Sequence, residues 1–209
     1  MAKVLNVWDS QRFLQDVIPF APAIVTRDPE KGLQFARQHY PVVLKAISDE
    51  IVHKSDSGAV VLNVDSDDRF LDEFYRMLDR FHSPVMVQKQ VSGVEVFLGA
   101  KRDPQFGPVV LFGLGGIFVE VYRDVVARAA PIAPEDFDEM VLDLKGRKIL
   151  QGARGKRVDL EALRDIVVRF SRFVATAEGW EEIDVNPLMA LPDGALAVDA
   201  RVVTRDSRA

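Results

Sequence analysis

A lysine near the end of an apolar strand needs a reason to be there. Val42-Val43-Leu44-Lys45-Ala46 places Lys45 where its ammonium must reach an edge, a cleft or an anionic ligand, because an unpaired buried ammonium is costly. Taken alone, such a lysine can equally well snorkel out of the strand end. The following polar segment, His53-Lys54-Ser55-Asp56-Ser57-Gly58, joins an imidazole, an ammonium, two hydroxyls and a flexible glycine. Backbone N–H groups and the Ser55 side chain of such a loop can hold phosphate oxygens, with Gly58 easing close approach. His53 can also act as a nucleophile, since a neutral imidazole can carry a phosphoryl group. An ordinary polar hairpin loop has much the same composition.

A second set of polar residues lies near the end of the chain. Asp184-Val185-Asn186-Pro187 puts Asp184 and Asn186 on one face of an extended strand. If Asp199, beyond the Pro192-Asp193-Gly194 turn, lies on the neighbouring strand, three oxygen-bearing side chains converge. A few hard oxygen ligands that leave room for phosphate oxygens suit Mg²⁺ bound to a nucleotide. An Asn before proline can also be a simple turn residue. Glu95, alternating out of Val94-Glu95-Val96-Phe97-Leu98, can face the same place or can simply be solvated. Gly113-Leu114-Gly115-Gly116 fits neither the dinucleotide fingerprint, since Phe118 stands three residues after Gly115, nor a Walker loop, since no Gly-Lys-Ser/Thr occurs there. Its glycines permit close backbone approach, to a ligand or to another strand. Glu120 follows four residues on.

The elements that must position these groups follow from periodicity. Asp9 and Ser10 can cap a short helix to about Val17, Ile24-Val25 reads as a short strand, and Asp28-Pro29 starts a helix over 30–39. Tyr40-Pro41 ends that helix, because the residue before proline avoids the helical region. Strands are predicted over 42–46 and 59–64. Phe70, Leu71, Phe74, Met77, Leu78 and Phe81 form a helical stripe across 67–81. Strands follow at 85–91, 94–100 and 109–112, with two more expected at 118–122 and 126–131. Helices are predicted over 135–144 and 160–178, and terminal strands around Val185 and 196–203. The order is mixed α+β, without the strict strand–helix alternation of a doubly wound fold. A lobe boundary is expected near Pro84 and Gly93, dividing the chain into 1–85 and 86–209.

Composition excludes several classes. With 27 Lys+Arg against 32 Asp+Glu, the net charge of -5 gives no whole-chain attraction to nucleic acid or an anionic membrane. Zero cysteines remove disulfides, thiolate nucleophiles and cysteine-ligated metals. The start of the chain lacks a signal-peptide pattern, and the most apolar stretch, 109–121, is too short to span a bilayer. A cytoplasmic protein is expected.

Taken together, the segments resemble the ATP-grasp subunit of ADP-forming acetyl-CoA synthetases and the matching domain of fused acyl-CoA synthetases. The carriers are Tyr40-Pro-Val-Val-Leu-Lys45, Val52-His-Lys-Ser-Asp56, Glu95-Val-Phe-Leu-Gly99, Asp103-Pro-Gln-Phe-Gly-Pro108, Phe112-Gly-Leu-Gly-Gly-Ile-Phe-Val-Glu120, Gly152-Ala-Arg-Gly155, Asp184-Val-Asn-Pro187 and Val198-Asp-Ala-Arg201. A more distant likeness is to the nucleotide-binding subunit of succinyl-CoA synthetase. The resemblance implies an ATP-grasp fold, two lobes with mixed or antiparallel sheets flanked by helices, grasping ATP or ADP with Mg²⁺. Lys45, Ser55 and the loop around Gly58 would meet the phosphates, and Glu95 would also meet the nucleotide. Residues 87–90 would form a hinge against adenine, offering backbone groups and the Gln88 side chain. Lys89 and Gln90 stand where a Gln-Glu-Met-like hinge is common. Asn186 and Asp199 would hold Mg²⁺, with Asp184 assisting through water.

The implied reaction is acyl-CoA + ADP + phosphate giving acid + CoA + ATP, reversibly. His53 would be its catalytic phosphoryl carrier within this chain, and Arg154 would belong to a phosphate or partner surface. Because 209 residues hold no CoA-binding region, a CoA-binding α subunit is the expected partner, in an α2β2 assembly. Two other functions compete. A stand-alone ATP-grasp ligase would join a carboxylate to an amine without a phosphohistidine. A non-catalytic regulatory module would bind nucleotide and be indifferent to loss of His53.

Overall fold

The computed structural model describes residues 2–48, 58–116, 124–155 and 157–205. It divides into two compact units, one of Asn6–Trp8 and Ala21–Val91, the other of Met1–Leu5, Asp9–Phe20 and Ser92–Ala209. The division expected from the sequence was 1–85 and 86–209. Strand β1 (Lys3–Val4) and helix α1 (Val7–Leu14) open the chain. Helix α1 starts two residues before Asp9, so Asp9 and Ser10 lie within it instead of capping it. Ser10 has a different task. Its buried hydroxyl accepts from the Val202 N–H at 3.1 Å and donates to the Leu5 carbonyl at 3.4 Å, tying the start of the chain to its end.

The smaller unit follows the periodicity of the sequence closely. It contains β2 (Ala23–Thr26), α2 (Pro29–His39), β3 (Val42–Ala46), β4 (Val60–Val64), α3 (Asp67–Phe81) and β5 (Val85–Lys89). Its sheet is antiparallel in the order β2-β5-β3-β4. Helix α2 begins where the sequence dictates, because Asp28 Oδ1 accepts the Glu30 and Lys31 N–H groups at 2.9 and 3.4 Å and Pro29 occupies the first turn. The stripe of α3 buries Phe70, Phe74 and Met77, the two rings stacked at 5.3 Å. Together with Ala36 of α2 they cover Val42, Leu44, Ala46, Val85 and Val87 of the sheet.

The end of α2 is clasped to the start of α3. Arg37 Nη2 and the Tyr40 hydroxyl donate to Asp67 at 2.6 and 3.1 Å. The Arg37 hydrogen bond holds the Asp67 carboxyl below its ordinary range. Burial first, and then the bond to Asp67, push the Tyr40 phenol up to about 12.

The larger unit holds β6 (Val94–Asp103), β7 (Gly107–Leu114), β8 (Val125–Ala129), α4 (Pro134–Asp143), a 3-10 turn (Ala153–Gly155), α5 (Leu160–Thr176), β9 (Trp180–Leu191), β10 (Gly194–Ala197) and β11 (Ala200–Thr204). Its antiparallel sheet runs β1-β11-β9-β6-β7-β8, with β10 also on β9. Strand β9 is far longer than the short strand expected at Val185. Asp159 caps α5 by accepting the Ala162 N–H at 2.9 Å. Phe137 and Met140 of α4 and Leu163, Val167 and Phe170 of α5 bury one sheet face, including Val96, Leu98, Val110, Phe112, Ile183 and Val185. Arg102 locks the start of β9, donating to the carbonyls of Ala177 and Trp180 at 2.7 and 2.9 Å and lying 4.6 Å from the Trp180 ring centroid. The strand expected over 118–122 falls outside the described residues.

Two outcomes test these arrangements. A Cβ at Gly113 would lie 2.3 Å from the Asp124 carbonyl oxygen and 3.0 Å from the Val125 Cα, both backbone atoms. Gly113→Ala is expected to destabilise the chain by at least the roughly 1–3 kcal/mol of an overpacked core; a urea midpoint equal to wild type would refute the packing. Tyr40, one of three tyrosines, should ionise near pH 12. The folded phenol holds its proton more tightly than the unfolded one, so its stabilising effect is complete below about pH 10 and disappears between about pH 10 and 12. An ultraviolet absorbance titration should lose its most alkaline step in Tyr40→Phe.

Candidate functional site

In an antiparallel ladder, residues directly opposite one another point to the same face. Strand β3 pairs with β5 so that Val43 lies opposite Gln88 and Lys45 opposite Met86. Val43, Lys45, Met86 and Gln88 therefore share one face, and Val42, Leu44, Ala46, Val85 and Val87 share the other, helix-covered one. Lys45 is 6% exposed and Gln88 only 1%. Neither belongs to the apolar cluster of the unit, yet both are buried. Among the described residues, the Gln88 Nε2 has no hydrogen-bond partner. Leaving such a group unpaired costs roughly 1–3 kcal/mol.

The backbone N–H groups at the end of β5 are paired within the smaller unit. The Lys89 N–H donates to the Pro22 carbonyl at 2.9 Å and the Gln90 N–H to the Pro41 carbonyl at 3.0 Å. The Lys89 side chain is exposed. Both ends of the Gln90 amide are bound to Asn63: its Oε1 accepts the Asn63 N–H at 2.7 Å, and its Nε2 donates to Asn63 Oδ1 at 2.6 Å. Asn63, with φ 57°, stands at a left-handed position that asparagine tolerates. Gln90 thus ties the end of β5 to β4. Gly58 has φ +68°, and a Cβ there would lie 3.1 Å from Arg80 Nη1. His53 and Ser55 lie outside the described residues, as do Glu120 and the Arg154 side chain.

In the larger unit, β9 pairs Leu188 with Ala197 of β10 and Val185 with Ala200 of β11. The register is continuous through the gap, which puts Asn186 opposite Asp199. Asp184 lies opposite Arg201. Alternation then places Asp184 and Asn186 on one face, joined there by Asp199 and Arg201 from the neighbouring strand. One oxygen of Asp199 accepts the Ala200 N–H at 3.0 Å. Arg201 Nη1 reaches Glu182 Oε1 at 2.9 Å and Asp184 Oδ2 at 3.2 Å. Burial, followed by the neighbouring Glu182, pushes the Asp184 carboxyl up to about 6, against the pull of Arg201. The partner of Asp184 in this structure is a guanidinium, which sequence reasoning missed. Its signal was available, since Arg201 stands two residues beyond Asp199 on an alternating strand.

Glu95 lies opposite Met189 on β6 and is exposed. Its carbonyl accepts the Gly115 N–H at 2.8 Å, and a Cβ on Gly116 would sit 2.6 Å from its Oε2. Met189 is buried but lies outside the apolar core. It was not singled out from the sequence, where it reads as one more apolar strand residue.

Asn186 and Asp199 carry hard side-chain oxygens of the kind that Mg²⁺ takes. Among the described residues, no group of three or more His, Cys, Asp or Glu side chains gathers as a metal cage. No helix among the described residues is long and apolar enough to cross a membrane.

Known proteins bear on this arrangement in three ways. The ATP-grasp domain family matches residues 1–204. The β subunit of the ADP-forming acetate–CoA ligase I of Pyrococcus furiosus is 42% identical over 197 residues, covering 89% of this chain and 85% of that subunit. The ADP-forming acetate–CoA ligase I of Archaeoglobus fulgidus is 39% identical across 89% of this chain, which spans only 29% of that longer protein. Among solved structures, acetyl-coenzyme A synthetase 1 of Ca. Korarchaeum cryptofilum superposes with a TM-score of 0.86 at 37% identity, over 97% of this chain and 93% of that one. That structure contains coenzyme A and Mg-AMPPCP, with a phosphohistidine segment pointing towards its nucleotide-binding site. The two antiparallel sheets, each with one helix-covered face, and the match over nearly the whole length place this chain in the ATP-grasp family, among the β subunits of ADP-forming acetate–CoA ligases.

Proposed function

We propose that the chain is the nucleotide-binding subunit of an ADP-forming acyl-CoA synthetase and needs a CoA-binding partner to turn over. The observation that carries this reading is the sheet face that buries Lys45 beside the unpartnered amide of Gln88, away from the helix-covered core. Among the described residues the buried Gln88 amide nitrogen lacks a partner and so calls for a hydrogen-bonding ligand, and the kinship with acetate–CoA ligase β subunits supplies its class, a nucleoside diphosphate or triphosphate.

Lys45 takes phosphate oxygens, and the segment carrying Ser55 and Gly58 adds donors to them. Asn186 and Asp199 hold Mg²⁺, which neutralises charge on the phosphates when bound. Glu95, set beside Gly115 and Gly116, provides a further polar contact to the nucleotide. Asp184, engaged by Arg201, lies on the face of β9 that carries Asn186. The chemistry divides across subunits. Phosphate displaces CoA from acyl-CoA, forming an acyl phosphate and breaking the thioester. The phosphoryl group passes to a histidine of the partner, then to His53 here, and finally to the terminal oxygen of ADP. Each transfer makes one P–N or P–O bond as another breaks. A cytoplasmic α2β2 assembly fits this division, and the A. fulgidus relative, more than three times longer than the matched region, fits a fused version of it.

Reconstituted with its partner, the chain should make ATP from acyl-CoA, ADP and phosphate. His53→Ala should reduce turnover to below about 1%, as removal of a covalent carrier does; full turnover by that variant removes His53 from the mechanism. Loss of a charge-assisted contact worth roughly 1.5–3 kcal/mol weakens binding about tenfold to a hundredfold. Asn186→Ala and Asp199→Ala should lose that much affinity for Mg-ADP in calorimetry, while metal-free ADP binds as before. Unchanged Mg-ADP affinity would refute the metal assignment.

A further inference from the structure

We propose that the larger unit carries a second ligand site, which takes a small carboxylic acid with an apolar body and holds its carboxylate on Arg157. A cavity of about 340 Å³ opens where the start of β6 meets the end of β9, and every residue lining it belongs to this unit. Small-molecule sites run from roughly 300 to 1,000 Å³ and combine apolar walls with a few polar groups. Val94 and Ala190, opposite one another in the ladder, give this cavity a buried apolar lining, joined by Pro192. Ser92 and Arg157, both exposed, give it a polar one. The site is not the nucleotide face. Val94 and Ala190 belong to the helix-covered core, whereas Glu95, one residue on, alternates to the other face of β6 with Met189 opposite.

The polar groups around the cavity decide the ligand. The Leu191 carbonyl accepts the Asp159 N–H at 2.8 Å, and the Gly155 N–H donates to the Gly152 carbonyl at 3.2 Å. The Asp159 carboxylate, the acid nearest to Arg157 in sequence, already accepts the Ala162 N–H at 2.9 Å. Among the described residues, no hydrogen bond or ion pair holds the Arg157 guanidinium. What remains is a guanidinium and a hydroxyl beside apolar side chains. A guanidinium presents paired N–H groups that match the two oxygens of a carboxylate, and the Ser92 hydroxyl can donate to the same group. Val94 and Ala190 suit a hydrocarbon body. Inorganic phosphate has no apolar part to set against them, and an ammonium compound would meet the charge of Arg157. A short-chain or aryl acid satisfies both halves of the cavity, and the acid released in the proposed reaction is of that class. The site itself stands on its own observations and goes beyond the nucleotide reading.

The test titrates phenylacetate, its neutral isostere phenylacetamide, acetate and inorganic phosphate into the full chain by calorimetry, with and without saturating Mg-ADP. Wild type should bind phenylacetate roughly tenfold or more tightly than phenylacetamide or phosphate, and more tightly than acetate, which lacks the apolar body. Arg157→Gln, a change at an exposed side chain, should weaken phenylacetate about tenfold to a hundredfold. Arg157→Lys should keep only part of the affinity, because an ammonium lacks the paired N–H geometry. Mg-ADP should leave phenylacetate binding unchanged. Absence of phenylacetate binding overturns the site, as does equal binding of phenylacetamide or undiminished binding by Arg157→Gln. Tighter binding of phosphate than of phenylacetate overturns the carboxylate class, and acetate binding as tightly as phenylacetate overturns the part given to Val94 and Ala190. Competition by Mg-ADP puts phenylacetate on the nucleotide face and overturns a separate site. Failure of the chain to bind Mg-ADP strikes the nucleotide reading alone.

Discussion

The register of β3 against β5 decides which side chains can meet on the four-stranded sheet. Five residues of β3 are all buried, yet they divide by parity. Val42, Leu44 and Ala46 join Phe70 and Phe74 beneath the helices, whereas Val43 and Lys45 turn the other way. A slip of one residue would drive the Lys45 ammonium into that aromatic core and move Leu44 to the opposite face. The apolar pattern therefore does more than stabilise the smaller unit. It fixes the side on which a cation and an amide are presented, and it does so through residues that never touch a ligand.

The larger sheet shows the same constraint with an interruption. Ile183 and Val185 belong to the core, and so do Leu188 and Ala190, so the parity of core residues along β9 changes between 185 and 188. The ladder of β9 with β6 shifts register at the corresponding place, between Val96 and Leu98. Asn186 sits where the alternation resets, opposite the gap between β10 and β11 that contains Asp199. A regular strand would offer side chains only at its fixed spacing. The irregular one frees Asn186 and Asp199 from ladder duties while the paired segments on both sides hold them in place. Arg201 completes the electrostatics, since two carboxylates on one face repel unless a cation lies between them.

Much of this was legible in the sequence, and the exceptions share a cause. Strand β3, helix α3 and the Asp28-Pro29 start of α2 follow local signals, namely β-branched runs, a helical stripe and a capping residue. The convergence of Asp184, Asn186 and Asp199 on one face follows from alternation and a single turn. By contrast, the role of Ser10 depends on Val202, 192 residues away, and that of Gln90 on Asn63, 27 residues away. No local pattern encodes such partners. The length of β9 was hidden for another reason. Acidic Glu181, Glu182 and Asp184, followed by Pro187, read as breakers, and only pairing with β6 and β11 on both sides makes them strand.

Whether Gly113-Leu114-Gly115-Gly116 is a ligand loop or a packing device is decided by what already occupies the space beside it. At Gly113 the room for a side chain is filled by the backbone of Asp124, just before β8, and of Val125 at its start. At Gly115 it is filled by the backbone and Cβ of Glu95, and at Gly116 by the carboxylate of Glu95. A side chain cannot lie where these backbone atoms are. The glycines let β7 run tightly against β6 and β8, and their close approach pins Glu95 at the start of β6, opposite Met189. The chemistry of the segment thus belongs to the carboxylate it positions.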